Sequence, residues 1–176
     1  MKCVRASAAI GMALILSCAA AQAENEPYLK ANHKMLGHQT QSSQQHAQDR
    51  AQTLYYYSQA QQPVPKDEAK ELVASMRKDL AAANKALAKL QAEFSKNKEA
   101  VELIDSIKKH HARATEMCGM AEEACAKDET DTVVLGDCCS EMYHEMEAAK
   151  ADTAKLLKSL KIDKLEPPKK PAPKKK

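Results

Sequence analysis

Three stretches of this chain set core-type residues in strict alternating steps of four and three. In 66–95 they are Ala69, Val73, Met76, Leu80, Ala83, Leu87, Leu90 and Phe94. In 98–127 they are Ala100, Ile104, Ile107, His111, Ala114, Cys118, Ala121 and Cys125. In 132–161 they are Leu135, Cys139, Met142, Met146, Ala149, Thr153, Leu156 and Leu160. Such spacing marks one buried seam along a helix that winds around its neighbours. Three seams predict an all-α fold, an antiparallel up-down-up-down four-helix bundle.

The breaks agree with that reading. Gln62-Pro63-Val64-Pro65 ends one segment, residues 127–132 form a polar turn, and Ser95-Lys96-Asn97 offers a cap for a new helix. The expected helices run about 28–61, 66–95, 98–127 and 132–161. The first is the weakest. Leu29, His33, Leu36, Thr40, Ser43, Ala47 and Leu54 keep the period, but the seam is polar and Gln-rich, so this helix is loose or lines a polar or metal site. Plentiful Ala, Lys, Glu and Gln, no Trp and a single Phe favour helices packed through Ala and Leu over a sheet.

Residues 1–23 read as a signal peptide. Lys2 and Arg5 give a charged start, Ala8 to Leu16 an apolar run too short to span a bilayer, and Ala21-Gln22-Ala23 a cleavage site. Ile15-Leu16-Ser17-Cys18 resembles a lipobox, which would instead put a lipid on Cys18. Either processing exports the chain to a periplasm or the outside. Residues 24–162 then form the bundle. No later segment is apolar enough for a membrane-spanning helix. The net charge of +3 falls to +1 without Lys2 and Arg5, which argues against a nucleic-acid partner. Residues 163–176 end in EPPKKPAPKKK. Pro and Lys at this density predict a disordered basic tail, solvated or touching an anionic envelope surface.

The chemistry gathers in EMCGMAEEAC (116–125) and DCCSEMYHEM (137–146), which hold every cysteine outside the signal segment. Two seams joined by a short turn pack antiparallel. Cys118, Cys125, Cys139 and Met142 then share one end of the bundle, with Met146, Met76, Cys138 and His111 as secondary members. Thiolate and thioether are soft donors that suit Cu(I); thiolate with imidazole also suits Zn(II), and the methionines favour copper. Metal buffering or tolerance is the function this implies. The competing reading is a structural or interaction protein whose helical hairpin is pinned by disulfides such as Cys118–Cys139 and Cys125–Cys138, in the oxidising compartment that export supplies. Geometry strains that pairing. Cys118 and Cys125 lie roughly 10 Å apart along a helix axis while Cys138 and Cys139 are about 1.5 Å apart.

Other chemistry is thin. Glu141-Met-Tyr-His144 is a single E-x-x-H, whereas a di-iron bundle needs two plus two more inward Glu. No C-x-x-C-H, nucleophile–base set or Gly-rich phosphate loop occurs, so an enzyme is not indicated. The run Tyr55-Tyr56-Tyr57 cannot bury three rings on one face; one should plug the bundle end and the others should be exposed.

Overall fold

A computed structural model describes the backbone of residues 9–60 and 63–164, and the side chains of 29–60 and 63–164. The helices are α1 (Ala9–Gln59), α2 (Lys66–Glu93), α3 (Lys98–Ala126) and α4 (Thr132–Ser159). Among the described residues there is no strand. The chain divides into two compact units, residues 1–33 and 34–176. In the first, the backbone is helical from Ala9 onward, whereas the sequence reading began the helix near residue 28. The Ala-rich run that precedes Pro27 favours a helix, while Pro27 itself lies inside α1 and removes one N–H from its ladder. The signal-peptide and Cys18 expectations fall on residues whose side chains lie outside those described. Residues 165–176, most of the expected tail, also lie outside them. No helix among the described residues is long and apolar enough to cross a membrane.

The second unit is a packed bundle of the rest of α1 with α2, α3 and α4. Cross-helix bonds fix each neighbouring pair as antiparallel. Arg50 of α1 pairs with Asp79 of α2, and Tyr57 donates to Glu68 at 2.5 Å. Between α2 and α3, Arg77 forks onto Glu122 at 2.6 and 2.9 Å, and Gln91 donates to Asp105 at 3.0 Å. Between α3 and α4, Arg113 reaches Glu141, His110 reaches Glu145 and Ser106 donates to Asp152. In α1 and α4, Gly37 lies under Leu157 and Ser58 against Gly136. A rising number on one helix meets a falling number on its neighbour throughout.

The heptad residues form the core. Every seam position named for α3 is buried, as are those of α2 except Phe94 and those of α4 except Leu160. Phe94 and Leu160 sit at helix ends and are partly buried against the same cluster. Burying a Leu, Ile or Met side chain gives about 1.5–3 kcal/mol, so the seams supply the main driving force for the bundle.

The helix ends are set locally. Asn97 Oδ1 accepts from the Ala100 amide at 3.2 Å and Asp131 Oδ1 from the Val134 amide at 3.2 Å, each satisfying an orphan N–H of a first turn. Helix α2 has no side-chain cap, but Asp67 and Glu68 place negative charge in its first turn. Helix α4 ends in a Schellman turn. Ile162 N–H bonds Leu157 O at 2.9 Å and Lys161 N–H bonds Lys158 O at 3.1 Å, with Lys161 at φ 56°. Ile162 is buried, so the chain folds back on α4 as it leaves the helix.

Candidate metal centre

Burial of the soft side chains follows from their heptad positions. Cys118 and Cys125 on α3, Cys138, Cys139, Met142 and Met146 on α4, and Met76 on α2 are all buried. The four cysteines are free thiols. The disulfide staple that the sequence left open is therefore not formed. Cys118 instead donates its S–H to Met142 Sδ at 3.4 Å.

The thiols share one electrostatic neighbourhood. Burial, then repulsion from Cys138, Cys125 and Cys118, pushes the Cys139 thiol up to about 12. Burial pushes Cys118 up to about 11, against the pull of the Arg77 guanidinium beside it. Burial also raises Cys125, opposed by Lys70 and Lys66, and Cys138, which faces Asp137 and Glu141. All four are thus neutral S–H groups at neutral pH, small apolar fillers until something replaces their protons. Arg77, held by Glu122 above Gly119, is the cation nearest Cys118.

The sequence offers Cys118, Cys125, Cys139 and Met142 as leading ligands, with Met146, Met76, Cys138 and His111 secondary. Among the described residues no three His, Cys, Asp or Glu side chains are arranged to hold a metal ion. Two thiols and a thioether fall outside that count, and they are the set Cu(I) accepts. Met76 is buried in the same core on α2. Met146 lies one turn beyond Met142, next to the Glu145 that pairs with His110.

His111 departs from the cluster. Its Nδ1 meets Asn84 Oδ1 at 2.7 Å and its Nε2 meets Gln44 Nε2 at 3.0 Å, while Gln44 Nε2 also donates to Thr153 Oγ1 at 2.9 Å. These contacts describe a neutral imidazole that donates from Nδ1 and accepts at Nε2. Burial, then repulsion from His110, lowers its pKa from 6.5 to about 4. With both ring nitrogens used, His111 is a structural residue of a polar layer through all four helices. The polar seam of α1 finds its partner here. His46 is exposed and has no part in that layer.

Sequence reasoning missed Asn84 and Gln44, the two amides that satisfy His111. The sequence hint was Asn84 inside the otherwise apolar run AAANKA. It also missed an exposed groove between α1 and α4 lined by Gln52, Tyr55, Tyr56, Ser140, Tyr143 and His144. As expected, the tyrosine triplet splits: Tyr57 packs partly on the core while Tyr55 and Tyr56 are exposed.

The chain matches no known family. No curated protein and no solved structure matches it either.

Proposed function

We propose that this protein binds Cu(I) between α3 and α4, through the Cys118 and Cys139 thiolates with Met142 as a third, thioether donor. Cys125 and Cys138 are the neighbouring thiols into which the site can extend. The role is metal buffering or tolerance in an exported bundle, as a binder and not a catalyst. The observation that carries this reading is the Cys118 Sγ–Met142 Sδ contact of 3.4 Å between buried side chains, beside a Cys139 thiol that feels Cys138, Cys125 and Cys118 as neighbours. Cu(I) is stable with two or three soft donors, so it needs no larger convergence of ligands. A buried thiolate is costly without a partner, and a bound cation supplies one.

A second reading is a bundle that uses these thiols only as core filler. The neutral, fully buried state of Cys118 and Cys139 favours it.

One experiment separates the two. The purified chain is assayed for titratable thiols and bound metal, then titrated with Cu(I) against a chromophoric Cu(I) chelator. Stoichiometric withdrawal of Cu(I) that is lost in Cys118→Ser supports the metal site. Failure to compete, or unchanged competition by Cys118→Ser, rejects it.

A further inference from the structure

We propose that the α1–α4 groove at Tyr55, Tyr56 and Tyr143 is a docking site for a Pro-rich segment, and that its occupant is the chain's own Pro168-Lys-Lys-Pro171, bound in cis. The groove is separate from the thiol layer and the proposal does not rest on metal binding.

The first argument is the lining. The chain has five Tyr, one Phe and no Trp, yet three of those Tyr and one His meet in a single exposed groove. These rings are not core material. Tyr56 is 60% exposed and Tyr55 36% exposed. Tyr55 and Tyr56 stand edge to face at 6.1 Å on α1, and Tyr143 and His144 do so at 5.6 Å on α4. The two ring pairs line the groove together with Ser140 and with Gln52, whose Nε2 donates one of its protons to Tyr56 OH at 3.3 Å, and none of the lining residues is Asp, Glu, Lys or Arg. Tyrosine-walled furrows with amide and hydroxyl donors suit polyproline II helices. Proline rings slot between aromatic faces, and the carbonyls, which have no internal partners, take the donors.

The second argument is reach. The Schellman turn folds Ile162 back to the level of Leu157. From that level, Tyr143 lies about 21 Å and Ser140 about 26 Å back along α4, at 1.5 Å per residue. A polyproline II chain leaving Ile162 at 3.1 Å per residue brings Pro168 to about 19 Å and Pro171 to about 28 Å. The P-x-x-P unit therefore arrives with the groove between its two ends. A segment a few residues nearer to Ile162 falls short, and the final lysines overshoot.

The third argument is charge. Glu147 is exposed beside His144, with Nδ1–Oε2 at 3.5 Å, on the side of the groove that the returning chain crosses first. Lys169 of the docked unit arrives about 7 Å past that carboxylate and reaches back toward it, while Lys170 lies over the open Tyr faces.

The test uses the full chain, isotope-labelled for NMR. Cross-peaks between Pro168 or Pro171 ring protons and the Tyr56 or Tyr143 rings are expected. They should keep their intensity per molecule on tenfold dilution and vanish in Pro168→Ala/Pro171→Ala. In that variant the Tyr55, Tyr56 and Tyr143 ring shifts move and the core methyl shifts do not. Tyr143→Ala, a half-exposed helix position that tolerates Ala, should raise the mobility of 167–171 to that of the double variant. No cross-peak, with the same Tyr shifts in wild type and the proline variant, overturns the proposal. Cross-peaks that weaken on dilution assign the groove to a second copy and overturn docking in cis.

Discussion

The Cys118 thiol donates to the Met142 thioether across the α3–α4 interface, at 3.4 Å. A sulfur pair at this spacing is either well-packed core or two ready-made soft ligands, and a conservative change at Met142 tells them apart. Met142→Leu conserves volume, so the bundle should lose less than about 1.5 kcal/mol. Loss of the thioether donor should weaken Cu(I) binding about tenfold, about 1.4 kcal/mol. Chelator competition and a denaturant titration on the same variant read both numbers. Affinity equal to wild type removes Met142 from the site.

Proton release gives a second check. Cys118 and Cys139 are held at about 11 and about 12, so each thiol gives up a proton when it takes a metal ion. Two thiolates imply an affinity that climbs about 100-fold per pH unit near neutrality. The metal-free protein behaves oppositely. Thiols raised above their unfolded value of 9.0 contribute stability below that pH, and the contribution is lost as pH rises toward their folded values. Melting curves should therefore fall in the alkaline range without metal and hold with Cu(I). A pH-independent affinity would show that no thiol loses a proton and sink the thiolate assignment.

The seams were legible because each burial decision sits on one helix. Leu80, Ile104 and Leu135 announce a core by spacing alone, whatever they later touch. The polar layer was not legible in that way. Gln44 looks like a surface residue until His111 and Thr153 arrive from two other helices to take its Nε2, with Asn84 on the other nitrogen of the same imidazole, and no local pattern records that meeting. Hence the sequence offers His111, on the buried stripe, as a secondary ligand, whereas in the structure its two ring nitrogens meet Asn84 and Gln44. The thiol cluster lies between these cases. Heptad counting put Cys118 level with Met142, but side-chain direction, which decides coordination, follows from packing.

His111 should make the bundle acid-sensitive. Its folded pKa of about 4 lies below the ordinary 6.5, so the unfolded chain binds the proton more readily. Stability is full above about 6.5 and falls as pH drops through that value, until both states are protonated near 4. The interval corresponds to a loss on the order of 3 kcal/mol. Asp131 and Asp152, both held below the usual carboxylate range by lysine partners first, lose their contribution at still lower pH. Denaturation midpoints measured across pH 7 to 4 should show the loss, and His111→Gln should flatten it. A wild-type midpoint unchanged across that range would mean the imidazole charges in place.

The turn that ends α4 carries one local conflict. Lys161 occupies the left-handed position of the Schellman motif at φ 56°, where a side chain costs about 1–2 kcal/mol relative to glycine. Its neighbours do not need the lysine. Leu157 and Ile162 occupy the two positions of the hydrophobic closure, both buried, and the motif's bonds come from main-chain groups. Lys161→Gly removes the strain but gives the unfolded chain more freedom, which offsets about 0.4–1 kcal/mol. The balance should be a gain of about 0.5–1 kcal/mol, read as a raised denaturant midpoint with an unchanged slope. Ile162→Ser should act the other way, because it exposes the closure and releases the chain that follows. A lowered midpoint in Lys161→Gly would mean that the lysine side chain makes a contact worth more than the strain it holds.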